Sequence, residues 1–279
     1  MSGAPDLPGG LETDSALKLF SDYLRVTGVA HTGPEPRGDP GLIGKRLGLL
    51  NGSAWIGLWA SFFGRMYLPG AHLVSAGNEA VQINFMSAHQ AGRGELPSEN
   101  VAAFERMALD LVELGRVDAV LITCSTMNRA YGRVREVLSP HGVPVLQIDR
   151  PMMEAAVAHG GRILVVATHG PTVSSTQALL SEVAAEAGQQ IESSGALVEA
   201  AWQALAQGDV WAHNAILAQT IRDRAKAEPL ASAVLAQLSM SVFLLSYPDP
   251  VREFGIPVFT SGQCGFEAMR RVLTPHQGD

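Results

Sequence analysis

The sequence is poor in the residues that mark several common chemistries. It has two cysteines in 279 residues, Cys124 and Cys264, and neither lies in a CxxC or Cys/His spacing. That excludes a disulfide scaffold and a cysteine-built metal finger. Aromatic residues make up only 6% of the chain, too few for a series of base-stacking platforms. Positive charge is scarce, and the net charge of −7 leaves no electrostatic footprint for a nucleic acid. No basic amphipathic stretch suggests a membrane surface, and no apolar run approaches bilayer length. The opening MSGAPDLPGGLETD has neither the basic nor the apolar region of a secretory signal. There is no GxGxxG after a strand, no GxxxxGK[ST], no HExxH and no His/carboxylate cluster. GKRLGLL reads as a strand start, not a phosphate loop. The expectation is a cytoplasmic protein with free thiols that binds no nucleic acid and no membrane and needs no metal or cofactor.

What the sequence does contain is a repeat. RLGLL from Arg46, VDAVLITCSTM around Cys124 and VPVLQIDRPMMEAA from Val143 recur as RILVV from Arg162, ASAVLAQLSM ending at Met240 and IPVFTSGQCGFEAM from Ile256. Ser125 follows Arg46 by 79 positions, and Ser239 follows Arg162 by 77. Val143 follows Val120 by 23, and Ile256 follows Val234 by 22. Two matched spacings imply two similar lobes facing a cleft, with the Cys124 position on one wall and its counterpart near Ser239 on the other. The hydrophobic content of 47% is enough for two packed cores of roughly 115 residues each.

Residues 1–43 read as an extension: a Pro/Gly-rich start expected to be mobile, a short helix over 15–26 and a Pro/Gly linker over 28–41. The first lobe is expected over 44–158 and the second over 159–279, with the C-terminal helix a candidate to pack back on the first. Strands are expected at 46–50, 72–76, 119–123, 143–148, 163–167, 191–194, 233–237 and 256–260. Most are continuous Val/Leu/Ile runs without alternation, as strands covered on both faces are. Helices are expected between them, among others at 101–114, 171–187 and 197–207. The fold class is therefore α/β, two pseudo-symmetric three-layer αβα half-domains with parallel sheets and right-handed crossovers. Ligands of such sheets bind beyond the carboxyl ends of the strands. That points to segments 51–55, 77–79, 124–128, 168–175 and 237–241.

Cys124 ends a buried strand, and Ser125 and Thr126 are good helix caps. A helix starting there aims N–H groups and a positive dipole end at the cleft, which lowers a thiol pKa and attracts a carboxylate. A buried structural cysteine is the other reading. Cys124 falls opposite Gln237 or Leu238, ambiguous by one residue, with Ser239 one or two places on. Ser239 is either a substrate contact or a helix cap. In ATHGPTVSST, Thr168 and Thr172 are candidate carboxylate ligands, and His169 is a candidate acid or base. A hydrogen-bonded loop histidine is the alternative there. Asn51 and Ser53 in NGSAW are further small polar candidates. Glu79 reads as an ordinary helix-start acid and Cys264 as peripheral. The stretch WIGLWASFFGRMYL over 55–68 is either a pocket wall, a packed helix or the interface of an expected homodimer.

A duplicated α/β half-domain with C-[ST]-T after its third strand resembles the aspartate/glutamate racemase superfamily. That group includes glutamate, aspartate and hydantoin racemases, maleate isomerase and arylmalonate decarboxylase. The resemblance runs from residue 44 to about 273 and rests on LITCSTMN, VLAQLSMS and IPVFTSGQCG. It implies a cleft in which one cysteine from each lobe stands on opposite faces of a substrate α-carbon. One thiolate removes the proton, the opposite thiol delivers one, and amides and hydroxyls hold the carboxylate. Cys124 matches the first cysteine. The second is missing, since its region holds Gln237, Leu238 and Ser239. Three readings follow: a cofactor-independent racemase with Cys124 on one face and a non-thiol group such as His169 on the other, a one-cysteine isomerase or lyase acting on a small carboxylate, and a binding protein that kept the fold.

Overall fold

The structure, a computed structural model, describes residues 12–28, 37–93 and 96–274. Most of the extension expected at 1–14 and of the linker expected at 28–41 lies outside the described residues. The expected helix of the extension is α1 (Thr13–Thr27). The first lobe then runs β1 (Arg46–Asn51), α2 (Ala54–Tyr67), β2 (His72–Gly77), α3 (Glu79–Gln90), α4 (Ser98–Glu113), β3 (Ala119–Ile122), α5 (Tyr131–Leu138), β4 (Val145–Gln147) and α6 (Arg150–His159). The second runs β5 (Arg162–Ala167), α7 (Gly170–Glu186), β6 (Glu192–Leu197), α8 (Glu199–Ala206), α9 (Val210–Ala227), β7 (Ser232–Leu235), α10 (Phe243–Ser246), α11 (Pro250–Phe254), β8 (Val258–Thr260) and α12 (Ser261–Leu273).

Every expected strand is present. The strands form two parallel four-stranded sheets, ordered β2-β1-β3-β4 and β6-β5-β7-β8. The central strands β1, β3, β5 and β7 are buried almost throughout, which is why their sequences do not alternate. The edge strands β2 and β6 are half-exposed and more polar. β4 and β8 are three residues each, shorter than expected, because Pro144 and Pro257 have no N–H to join the ladder and it begins only after them. In each sheet the chain turns one way after its first strand and the other way at its third. The switch points therefore lie between β1 and β3 and between β5 and β7, where such sheets bind ligands.

Each sheet has a core on both faces. Val120, Ile122 and Leu50 pack on Phe104, Ala108 and Leu111 of α4, and Leu164, Val166 and Leu235 pack on Leu217 and Ile221 of α9. The other two faces are exchanged between the lobes. Phe266, Met269 and Leu273 of α12 pack with Leu47, Leu49 and Leu121 of the first sheet. Met152, Met153, Ala156 and Val157 of α6 pack with Ile163, Val165 and Val234 of the second. Each lobe's last helix thus covers the other lobe's sheet. At about 25 cal/mol per Å² of buried apolar surface, these exchanged helices bind the lobes through hydrophobic burial rather than through one strand of chain.

Candidate active site

β1 and β3 pair Leu50 with Ile122, which brings the turn after β1 against the turn after β3. Gly52 then lies on Cys124. A side-chain carbon on Gly52 would come 2.7 Å from Cys124 Sγ, so only glycine leaves the sulfur its place. Cys124 is 4% exposed. The backbone N–H groups of Met127, Thr126 and Gly52 point at the sulfur and favour thiolate, but burial outweighs them, and the charge of Asp149 adds to it. The thiol is therefore pushed up from its ordinary value, contrary to the lowering expected from a helix start. Two features cause the difference: the thiol is out of water, and the turn after it is a short 3-10 segment, Thr126–Ala130, rather than a long helix with its full dipole.

The second lobe repeats this geometry with different chemistry. β5 and β7 pair Val166 with Leu235, so Gln237 takes the place of Cys124 and Thr168 the place of Gly52. The backbone N–H and the hydroxyl of Thr168 both donate to Gln237 Oε1, each at 2.8 Å. The N–H of Thr168 thus does for a carboxamide what the N–H of Gly52 does for the thiol. The same register puts Ser239 in the place of Thr126, not of Ser125. Ser125 itself caps no helix. Its hydroxyl donates to the carbonyl of Ala236 at 3.2 Å and ties the two turns together across the lobe junction.

One further titratable group stands at that junction. Asp149 follows β4, is 4% exposed and accepts a 2.7 Å hydrogen bond from Asn128 Nδ2. The Ser125 and Ser261 hydroxyls beside it favour its charge. Even so, Asp149 Oδ1 and Ser261 Oγ complete no hydrogen bond within the protein. Burial dominates and pushes the carboxyl from 3.8 up to about 7. The second lobe has Gly262 at this place, by the pairing of Gln147 with Ile122 and of Thr260 with Leu235. There the backbone N–H of Gly262 donates to Ser241 Oγ at 2.9 Å, and a side chain on Gly262 would collide with that oxygen at 2.6 Å.

This geometry agrees with the comparisons to known proteins. The model of the Asp/Glu/Hydantoin racemase family matches residues 71–269. The chain belongs to that family. Among solved structures, an aspartate racemase homologue from Pyrococcus horikoshii OT3 matches with a TM-score of 0.59 at 14% identity, over 82% of this chain and 99% of its own. Glutamate racemase from Bacillus anthracis matches at 0.55 and 18%, over 82% of each chain. Arylmalonate decarboxylase, solved as a mutant, matches at 0.54 and 15%, over 83% of this chain and 94% of its own. Identities this low speak for the fold alone. No curated protein matches the sequence.

Within this family member the expected site residues divide into four groups. Cys124, Ser125, Thr168 and Gln237 gather at the junction, with Ser53 and Ser239 buried beside them in sequence. Asn51 stands apart. It is buried, and its amide is committed to the protein, donating to Ser75 Oγ at 2.7 Å and Leu49 O at 3.3 Å and accepting from Thr123 Oγ1 at 2.5 Å. It fixes the end of β1 and has no donor left for a substrate. Thr126 and Thr172 are half-buried at the starts of their turns.

His169 takes the place of Ser53 and is half-buried. Burial lowers its pKa, and Glu199 partly restores it, so the ring is neutral at pH 7. It packs 5.0 Å from Trp202, which lies 5.5 Å from Trp55, which lies 5.3 Å from Trp59. The aromatic stretch after β1 is therefore split. Trp55 crosses to the other lobe's Trp202, whereas Phe63 is core and Trp59 and Phe62 pack against it. Glu79 accepts from the backbone N–H of Ala54 and closes the start of α2 with an internal carboxylate. Cys264 takes the place of Pro151, and burial and Glu267 push its thiol up to about 12. Sequence reasoning missed Asp149. A visible sign was that an acid directly follows the apolar strand VLQI, where the repeat has glycine.

Among the described residues no three His, Cys, Asp or Glu side chains group as metal ligands do, and no helix is long and apolar enough to cross a membrane.

Proposed function

We propose that this protein is a cofactor-independent racemase or isomerase that moves a proton at the α-carbon of a small carboxylate, with Cys124 as the acid and base on one face. The observation that carries this reading is the seat of Cys124. The thiol stands at a switch point, at the lobe junction, with three backbone N–H groups aimed at its sulfur. Such donors stabilise a thiolate at the moment it forms without keeping it charged at rest. The substrate carboxylate is assigned to the start of α7. There the backbone N–H of Gly170, the Thr172 hydroxyl and Gln237 Nε2 are donors without partners among the described residues, whereas Glu79 already occupies the start of α2. On the opposite face the neutral imidazole of His169 is the group able to exchange a proton near pH 7.

Gln237 favours a second reading. A carboxamide neither gains nor loses a proton near neutrality, so the wall opposite Cys124 has no titratable group at the equivalent point. A site of that kind protonates a carbanion from one face, as a lyase or decarboxylase does, with the raised Cys124 thiol as the resting acid.

Proton NMR in D₂O separates these readings. The protein and its Cys124→Ala variant are incubated with aspartate, glutamate, other amino acids, hydantoins, maleate and substituted malonates. Loss of an α-proton signal that depends on Cys124 supports proton transfer at carbon, and equal loss in the variant rejects it. A racemic product supports two-face exchange, and a single enantiomer supports one-face protonation.

A further inference from the structure

The two lobes differ again at the helix that follows each second strand. His72 heads β2 as Glu192 heads β6, and Gln82 and Trp202 each lie ten residues further on, at equivalent places in α3 and α8. Trp202 is packed, 5.0 Å from His169 and 5.5 Å from Trp55 of the other lobe. Gln82 is half-buried, and its carboxamide forms no hydrogen bond among the described residues. A side-chain carbon placed on Gly52 would lie 2.7 Å from Cys124 Sγ and 3.7 Å from Gln82 Oε1. Gly52 therefore leaves a gap with the thiol on one side and an uncommitted carboxamide on the other. A carboxamide offers two donors and an acceptor and carries no charge. Glu79 lies three residues before Gln82, on the same face of α3, and accepts from the backbone N–H of Ala54. In the first two turns of chain after each strand, the permanent cations are Arg129 and Arg150. Arg129 is exposed and has a partner, and Arg150 binds Glu154 and Glu186. The charge closest to Gln82 along the chain is thus negative, and neither cation is in place to neutralise a second one.

We propose that Gln82 is a specificity-determining residue: its carboxamide binds the side group of the substrate, and that group is uncharged and hydrogen-bonding, a carboxamide rather than a carboxylate. The substrate then spans the junction. Its carboxylate lies at the start of α7, its α-carbon at Cys124 and its side group over Gly52 against Gln82. A second carboxylate in that place would lose water, gain no cation and meet Glu79, whereas a carboxamide pairs with Gln82 donor to acceptor. This rests on the substrate placement proposed above, but its test reads binding without turnover, so the failure of proton transfer and the failure of this assignment are told apart.

Isothermal titration calorimetry of the full chain compares acids that match in shape and differ in charge: asparagine with aspartate, glutamine with glutamate, and maleamate with maleate. In at least one pair the amide should bind at least about tenfold more tightly than its acid. In Gln82→Lys that order should reverse, because an ammonium pairs with a carboxylate and has no acceptor for an amide N–H. In Gln82→Leu, which keeps most of the bulk, the preference should vanish. Equal or tighter binding of the acid in every pair by the wild type overturns the proposal, as does an unchanged preference in both variants. The absence of binding by all three amides overturns it as well. If neither variant folds, the order of affinities in the wild type alone decides. An amide preference that depends on Gln82, in a protein that exchanges no α-proton with any of these compounds, would keep this assignment and reject the role of Cys124.

Discussion

The first lobe places Cys124, Asn128 and Asp149 at the points where the second places Gln237, Ser241 and Gly262. The backbones match to the residue, down to the N–H of Gly52 on the thiol and the N–H of Thr168 on the carboxamide. The difference lies in what can carry charge. One wall holds a thiol and an acid whose pKa values are both raised by burial. The other holds an amide, a hydroxyl and a glycine. A duplicated fold supplies the same frame twice, and the side chains on that frame decide which copy holds groups able to gain or lose a proton.

Removing the thiol should have the largest effect. Cys124→Ala should lower proton exchange by about 10²–10⁴-fold while the thermal transition stays in place. An active variant would mean that the lobes' difference is not where the chemistry lies. Gly52→Ala comes next, since the new carbon meets the sulfur at 2.7 Å. It should lower turnover by about tenfold to a hundredfold and cost about 1–3 kcal/mol in chemical denaturation. Unchanged turnover would mean that the thiol tolerates displacement.

Gln237→Cys would make the two walls alike. A product released as one enantiomer should become racemic, readable by chiral chromatography, whereas an unchanged product would place the opposite-face group elsewhere. Asp149→Asn tests the acid. Its carboxyl binds a proton more tightly in the folded state, at about 7, than at the unfolded value of 3.8. Its contribution to stability is therefore full below about pH 4 and is lost as pH rises through 7. At pH 8 the variant should be more stable than the wild type by about 1–3 kcal/mol, and at pH 4 it should lose that advantage. The opposite order would mean that the carboxylate is better paired than its surroundings indicate. Cys264→Ala should matter least. Its thiol is held near 12 and should label more slowly than Cys124 at pH 7.

Much of this was legible from residues alone. The strands show themselves because parallel strands with helices on both faces need unbroken runs such as LGLL and ILVV. The repeat brought the Cys124 and Gln237 segments together. It left a one-residue ambiguity because the two serines that look equivalent, Ser125 and Ser239, occupy different places, and only the pairing of β7 with β5 resolves it. Asp149 stayed hidden for a physical reason. An acid followed by arginine and proline reads as a solvated helix start, and one of the groups that surround it, Ser261 at the start of α12, lies more than 100 residues away in sequence. The raised thiol likewise depends on packing that no local pattern reports.

The exchanged helices have a consequence for the chain's integrity. α6 ends at His159, and β5 begins at Arg162 after Gly160 and Gly161. A protease cut at those glycines would sever the only covalent link between the lobes, yet each fragment would still have its last helix clasped against its partner's sheet. The molecule is in this sense an interlocked pair of subunits written as one polypeptide. Its halves, made separately, would each lose one of the two helices that cover a sheet face and would regain that packing by reassembling with one another.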